Sequence, residues 1–213
     1  MLIVIDGPAG VGKSTVSKKI ANILNISYLD TGAMYRIITY YFLKNKIIIN
    51  DENIENNINN INITYKNNNL YLDNQLLRNE LRTNEINENI SIIAKNPIVR
   101  EFLVKKQREI ALTNSIILDG RDLGTYVFPE AKNKFYLTAS SDVRAQRRFK
   151  ENEEKGIDLS FLELKKQIEK RDKEDMTRKL APLKKADDAI EINTDNLDID
   201  EVVYLIKKQI VKE

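Results

Sequence analysis

Gly7-Pro8-Ala9-Gly10-Val11-Gly12-Lys13-Ser14-Thr15 meets every fixed position of the pattern G-x-x-x-x-G-K-[ST], a spacing that points to phosphate chemistry. A phosphate chain is held by several N–H groups aimed at one point, so the backbone must wrap around it, and glycines keep side chains out of its path. Lys13 adds a movable positive charge for the β- and γ-phosphates, and Ser14 offers a hydroxyl to Mg²⁺. A helix starting near Lys13 would add roughly half a positive charge at its N-terminus. The plain alternative is a glycine-rich turn that binds nothing. The strand before it and the helical pattern after it decide for phosphate.

Two further stretches could do chemistry. Ser115-Ile116-Ile117-Leu118-Asp119 reads as a buried strand ending in an acid, and an acid there, beside a phosphate loop, is placed to hold Mg²⁺ through water. Gly120-Arg121-Asp122-Leu123-Gly124-Thr125 follows at once, its glycines suggesting a backbone pressed close to a ligand rather than an ordinary strand–helix turn. Arg144, Arg147 and Arg148 share one helical face at i, i+3 and i+4, either solvated or turned to an anion.

These groups need a scaffold. Leu2 to Ile5 is an apolar, β-branched strand ending at Asp6, and Val16 to Leu24 has helical spacing. Ile26 to Leu29 is a short strand, Asp30-Thr31-Gly32 the loop after it, and a helix runs on through Tyr35, Ile37, Ile38, Tyr41 and Phe42. Arg36 has no partner in that apolar pattern, so it is solvated or faces an anion. From Asn50 to Asn89 asparagine dominates, yet Ile61, Ile63 and Tyr65 alternate, then Leu70 and Leu72, with a turn at Asn67 to Asn69. A small β-excursion is expected there instead of disorder, then a helix over about Glu85 to Ala94. The asparagine bias itself is read as the mark of an AT-rich genome. Pro97 opens the next helix, with Val99, Phe102, Leu103 and Ile110 to the core. Lys134 to Ala139 is a fourth strand, and Ser141 with Asp142 caps the helix that carries the three arginines. Gly156 breaks that helix, Phe161 to about Met176 forms another, Asp187 to Asn193 is the fifth strand, and Val202 to Val211 a terminal helix. No internal repeat and no linker to a second domain is visible.

Composition narrows the chemistry. The chain of 213 residues suits one α/β domain, and a net charge of +2 with 31% charged residues does not suggest nucleic acid or membrane as a partner. Cysteine and histidine are both absent, which excludes disulfides, thiolate metal sites, Cys nucleophiles and the commonest general base. No apolar run approaches the ~20 residues that span a bilayer, and the N-terminus lacks a signal peptide's basic region. A cytoplasmic monomer working on small molecules is expected.

Four stretches together resemble bacterial cytidylate kinases: Asp6 to Thr15; Leu29-Asp30-Thr31-Gly32-Ala33-Met34-Tyr35-Arg36; Asp119 to Thr125 with Val127-Phe128-Pro129; and Arg171-Asp172 through Arg178 with Ala181-Pro182-Leu183. The phosphate loop alone is common to many families, whereas the second and third stretches are far more specific. The resemblance implies a P-loop nucleoside monophosphate kinase fold in the α/β class. Its five-stranded parallel sheet is flanked by helices, with a small β-insert and a lid. It implies one domain over 1–213: core about 1–50, 95–145 and 175–213, monophosphate-binding insert about 51–94, and lid about 146–165.

It further implies ATP-dependent phosphorylation of CMP, and of dCMP, with Mg²⁺ held by Ser14 and Asp119. ATP would meet Gly7, Pro8, Ala9, Gly10, Val11, Gly12, Lys13, Ser14 and Thr15, with Arg147 and Arg148 of the lid. Thr31, Arg100 and Asp122 would read cytosine, with Tyr35 beside them. Arg36, Arg121 and Arg178 would surround the CMP phosphate and, with Lys13, carry catalysis. Ser91, Arg171 and Asp175 would contact the ribose. The chemistry agrees: Asp122 can accept from the exocyclic amine while Arg100 and Thr31 donate to O2 and N3.

Rival readings remain open. The scaffold could serve another acceptor such as UMP, AMP or a small alcohol. A GTPase-type switch needs Asn-Lys-x-Asp, and Asn45-Lys46 and Asn133-Lys134 both lack the Asp. A catalytically dead module is opposed by the presence of Lys13, Ser14 and Asp119.

Overall fold

The computed structural model describes residues 1–154, 156 and 158–211. Its element order is β1 (Leu2–Asp6), α1 (Lys13–Leu24), β2 (Ser27–Asp30), α2 (Thr31–Lys44), α3 (Asp51–Asn57), β3 (Ile63–Lys66), β4 (Asn69–Leu72), β5 (Gln75–Leu76), α4 (Asn84–Lys95), α5 (Pro97–Leu112), β6 (Ile116–Asp119), β7 (Asn133–Thr138), α6 (Ser141–Glu154), α7 (Phe161–Thr177), β8 (Ile190–Asn193) and α8 (Ile199–Gln209). The main sheet has five strands in the order β2-β6-β1-β7-β8, and it is parallel, as expected.

Contacts divide the chain into two compact units, Met1–Ile26 with Ile116–Glu213, and Ser27–Ser115. In the first, β1 is central. Ile3, Val4 and Ile5 are fully buried because helices cover both sheet faces, so the strand reads as an unbroken apolar run and not an alternation. Each such side chain contributes about 1.5–3 kcal/mol by leaving water. Register sets Ile5 opposite Asp119 on β6 and Asp6 opposite Tyr136 on β7, so the chemistry-bearing acids lie at one end of the strands. Helix α1 packs on β6 and on α8, and α6 packs on α7.

Three expectations shift here. The fifth strand begins at Ile190 and not at Asp187, because Asp188 is drawn off to the buried Lys134 Nζ at 2.7 Å. The cap of α6 is Ser140, whose Oγ accepts from Val143 N, while Ser141 donates to Glu169. The terminal helix starts three residues early, where Asp198 and Glu201 form a reciprocal capping box. Of the segment 146–165 expected as a lid, 146–154 continue α6 and 161–165 open α7; Lys155 and Ile157 lie outside the described residues.

In the second unit, α2 packs on α4 and α5. Its helix begins at Thr31, so Asp30 is a cap and not part of a loop. The insert is a three-stranded antiparallel sheet, β3-β4-β5, with one strand more than expected. Both hairpins turn on two left-handed residues, Asn67-Asn68 and Asp73-Asn74, the backbone that Asn and Asp tolerate best. Part of the asparagine bias is therefore structural. Helix α3 lies in a stretch where no helix was expected, capped by Asn50. The Tyr28 N–H, on the outer strand β2, is taken by Asn68 Oδ1 at 3.0 Å, and the Tyr65 hydroxyl stands 3.0 Å from Tyr28 O.

Candidate active site

The phosphate loop joins β1 to α1. Gly7 has φ +146°, and a Cβ there would overlap the Leu137 carbonyl oxygen, so no other residue fits. Gly12 takes a left-handed conformation at the N-cap of α1, whose first turn receives no side-chain cap. The helix N-terminus thus faces the loop with backbone N–H groups, the arrangement that binds anions. Lys13 is buried and donates from Nζ to Gly7 O and Pro8 O, each at 2.7 Å. Burial, then the nearby Arg121, lowers its pKa well below the usual lysine range.

Ser14 Oγ donates to Asp119 Oδ2 at 2.9 Å, joining the loop after β1 to the end of β6. A hydroxyl and a carboxylate so placed are hard oxygen donors of the kind Mg²⁺ prefers. Among the described residues no cluster of three acids or histidines forms a self-sufficient metal cage.

Beyond Asp119 a network of alternating charge is laid out. Arg121 Nε donates to Asp175 Oδ2 at 3.0 Å. Arg178 meets Asp122 Oδ1 at 3.0 Å through Nη2, Asp175 Oδ1 at 3.5 Å through Nη1, and the Ala181 carbonyl at 2.6 Å through Nε. Ala181 presents that carbonyl from a left-handed backbone, φ +50°. Burial works to raise the Asp175 pKa, but Arg121, Arg171 and Arg178 outweigh it and hold the carboxyl below the usual range.

In the sequence Asp6 stands as the end of a strand and as the first residue of the stretch Asp6 to Thr15, with no role of its own assigned. It is buried, and its two oxygens accept from Leu123 N at 2.9 Å and Gly124 N at 2.7 Å. Burial pushes its carboxyl up to about 7 against the lowering effect of those two bonds. Its position directly before Gly7 was the available signal.

The three-arginine face separates. Arg144 is buried, donates to Ala9 O at 3.1 Å and pairs with Asp172 at 2.6 Å, so it is neither solvated nor without an acid. Arg147 bonds Thr194 Oγ1 at 3.1 Å, and that hydroxyl in turn lies 3.4 Å from Val11 O of the phosphate loop. Arg148 is exposed.

The other expected residues lie in Ser27–Ser115. Thr31 is buried at the first position of α2, where Asp30 Oδ1 accepts from Ala33 N at 3.0 Å. A Cβ on Gly32 would come within 3.1 Å of both Arg36 Nη1 and Asp30 Oδ1, so the Arg36 guanidinium lies close against the first turn of the helix, where a side chain at position 32 would have to displace it slightly. Arg100 is 1% exposed, lies over the Tyr35 ring at 5.6 Å and donates to Ala94 O at 3.1 Å. This unit therefore brings Tyr35 and Arg100 together. Ser91 is half-buried on α4.

Residues 3–212 match the family model described as cytidylate kinase. The chain is similar to the cytidylate kinase of Fusobacterium nucleatum, 47% identical over 100% of this chain and 98% of that one. It is 50% identical to the cytidylate kinase of Thermosipho melanesiensis over 99% and 96%. Among solved structures it resembles the shikimate kinase of Bacteroides thetaiotaomicron, with a TM-score of 0.50 at 16% identity over 98% of this chain and 97% of that one, a likeness of fold.

Proposed function

The chain belongs to the cytidylate kinase family, and we propose that it transfers the γ-phosphoryl group of ATP in line to a phosphate oxygen of CMP or dCMP, giving the diphosphate. The observation that carries this reading is the end of β6. There Asp119 is bonded to Ser14 of the phosphate loop, and two and three residues later Arg121 and Asp122 are tied to Asp175 and Arg178.

The loop 7–15 binds the triphosphate through its backbone N–H groups, with Lys13 moving from the Gly7 and Pro8 carbonyls to the phosphates. A polyphosphate beside Lys13 would offset the burial that lowers its pKa and keep it charged. Ser14 and Asp119 would hold Mg²⁺. Bound there, the ion would supply charge neutralisation at the phosphate oxygens. Arg147 and Arg148, in the lid segment, complete the ATP contacts.

On the acceptor side, Arg36, Arg121 and Arg178 take the CMP phosphate, so that two anions can approach each other. Thr31, Arg100 and Asp122 read the base beside Tyr35, and Ser91, Arg171 and Asp175 hold the ribose. A phosphate monoester has a second pKa near ~6 and is mostly dianionic at neutral pH, so no general base is needed. The absence of histidine is then no obstacle. The chain's own work is positioning and charge neutralisation. The reading includes a cytoplasmic location and a monomeric state. Separately, no helix among the described residues is long and apolar enough to cross a membrane.

The test is a coupled assay of ATP consumption across CMP, dCMP, UMP, AMP and GMP. CMP and dCMP should give the highest kcat/KM. Preference for any other acceptor overturns the reading.

A further inference from the structure

The loop after β6 contains a wide turn, Leu123–Val127, in which Tyr126 N and Val127 N both bond Asp122 O, at 2.9 and 3.2 Å. The N-cap residue of this turn, Asp122, makes no side-chain capping bond to it. Its first two N–H groups go instead to Asp6, one to each carboxylate oxygen, from 117 and 118 residues away. One residue upstream of Asp6, the Ile5 carbonyl accepts from Gly120 N at 3.0 Å. The segment bearing Arg121 and Asp122 is therefore pinned on both sides, at Gly120 and at Leu123-Gly124, to two consecutive residues of β1.

We propose that Asp6 is a positioning residue for the acceptor nucleotide, a remote cap that sets the angle at which Arg121 and Asp122 are presented. This rests on the reading of Arg121 and Asp122 as CMP contacts. A carboxylate is the group the geometry needs, because both of its oxygens accept. An amide has one acceptor and would turn an NH₂ toward the other N–H. A backbone donor left unmet in a buried place is costly, and the turn would shift to find it a partner. Asp6 also precedes Gly7, so a residue that merely supported the phosphate loop would affect ATP at least as much as CMP.

The experiment compares Asp6→Asn with wild type at saturating levels of each substrate in turn. The acceptor kcat/KM should fall by about ten- to a hundredfold, the equivalent of one unmet buried donor, while the KM for ATP stays within about twofold. In an Arg121→Ala background the same change should cost much less, since the effect runs through that loop. Equal losses for both substrates, no loss, or full additivity with Arg121→Ala overturns the proposal. Should Asp6→Asn not fold, wild-type amide exchange decides: protected Leu123 and Gly124 amides support the cap, and exchange at the rate of exposed peptide refutes it. Whether CMP is the acceptor at all is settled separately by the wild-type acceptor panel. With another acceptor, the split between that acceptor and ATP still tests Asp6.

Discussion

Ser14 donates from Oγ to Oδ2 of Asp119 over 2.9 Å, linking positions 105 residues apart in the chain. The bond pre-sets two oxygen donors at one end of the sheet. Ser14→Ala should lower turnover at limiting Mg²⁺ by at least about tenfold, with partial recovery as the ion is raised. A titration of rate against Mg²⁺ checks this. An unchanged Mg²⁺ dependence would count against the assignment.

Arg121 is held by Asp175, whose other oxygen faces Arg178. Arg121→Ala should reduce kcat by about 10²–10³-fold, the usual loss when one donor to developing charge is removed. Arg36→Ala should act in the same direction. Both variants should keep the wild-type circular dichroism spectrum, because Asp175 retains Arg178. Undiminished steady-state rates in either variant remove its role.

In the proposed reading Asp122 is the acceptor that would separate an amine from a carbonyl on the pyrimidine ring. Asp122→Ala should narrow the CMP/UMP ratio of kcat/KM by about tenfold or more, from an unpaired-group penalty of roughly 1–3 kcal/mol. Arg178 loses one of its partners in the same variant, so absolute rates fall too. The ratio is the informative quantity.

Asp6 gives the protein a stability that depends on pH in a definite direction. Its carboxyl is raised from 3.8 to about 7, chiefly by burial, with Lys13, Asp122 and Tyr136 as charged or titratable neighbours. Between about pH 4 and 7 the native state keeps a proton that the unfolded chain has released. Stability at this site therefore falls as pH rises through that window, by on the order of a few kcal/mol in all. Urea unfolding at pH 5 and pH 8 should show the decline, and Asp6→Asn should flatten it.

Tyr65 and Asn68 meet at the β2 backbone beside Tyr28. Tyr65→Phe and Asn68→Ala should each cost about 1 kcal/mol. The double variant should cost less than their sum, because both act at one place. Thermal melts of the four proteins measure the coupling.

How much of this is written locally in the chain differs from residue to residue. The loop from Gly7 to Thr15 and the strand ends at Asp6 and Asp119 are legible because their residue types and their neighbours agree. The cap at Ser140 instead of Ser141 is a one-residue matter that propensity cannot resolve. The third insert strand, Gln75–Leu76, is too short to show a period. Arg144 looked like part of an anion-binding face because its acid, Asp172, arrives from the next helix. Asp6 likewise spends its oxygens on partners more than a hundred residues away. Long-range choice of partner is set by packing, and a window of neighbouring residues carries no record of it.

Asparagine side chains slowly hydrolyse to acids as a protein ages, and this chain carries many of them. At Asn68 both recorded bonds, from Tyr28 N and from the Tyr65 hydroxyl, end on Oδ1. A carboxylate at that position would accept the same two protons. Simple conversion of that amide to an acid would thus leave the guard over the sheet's outermost strand in place.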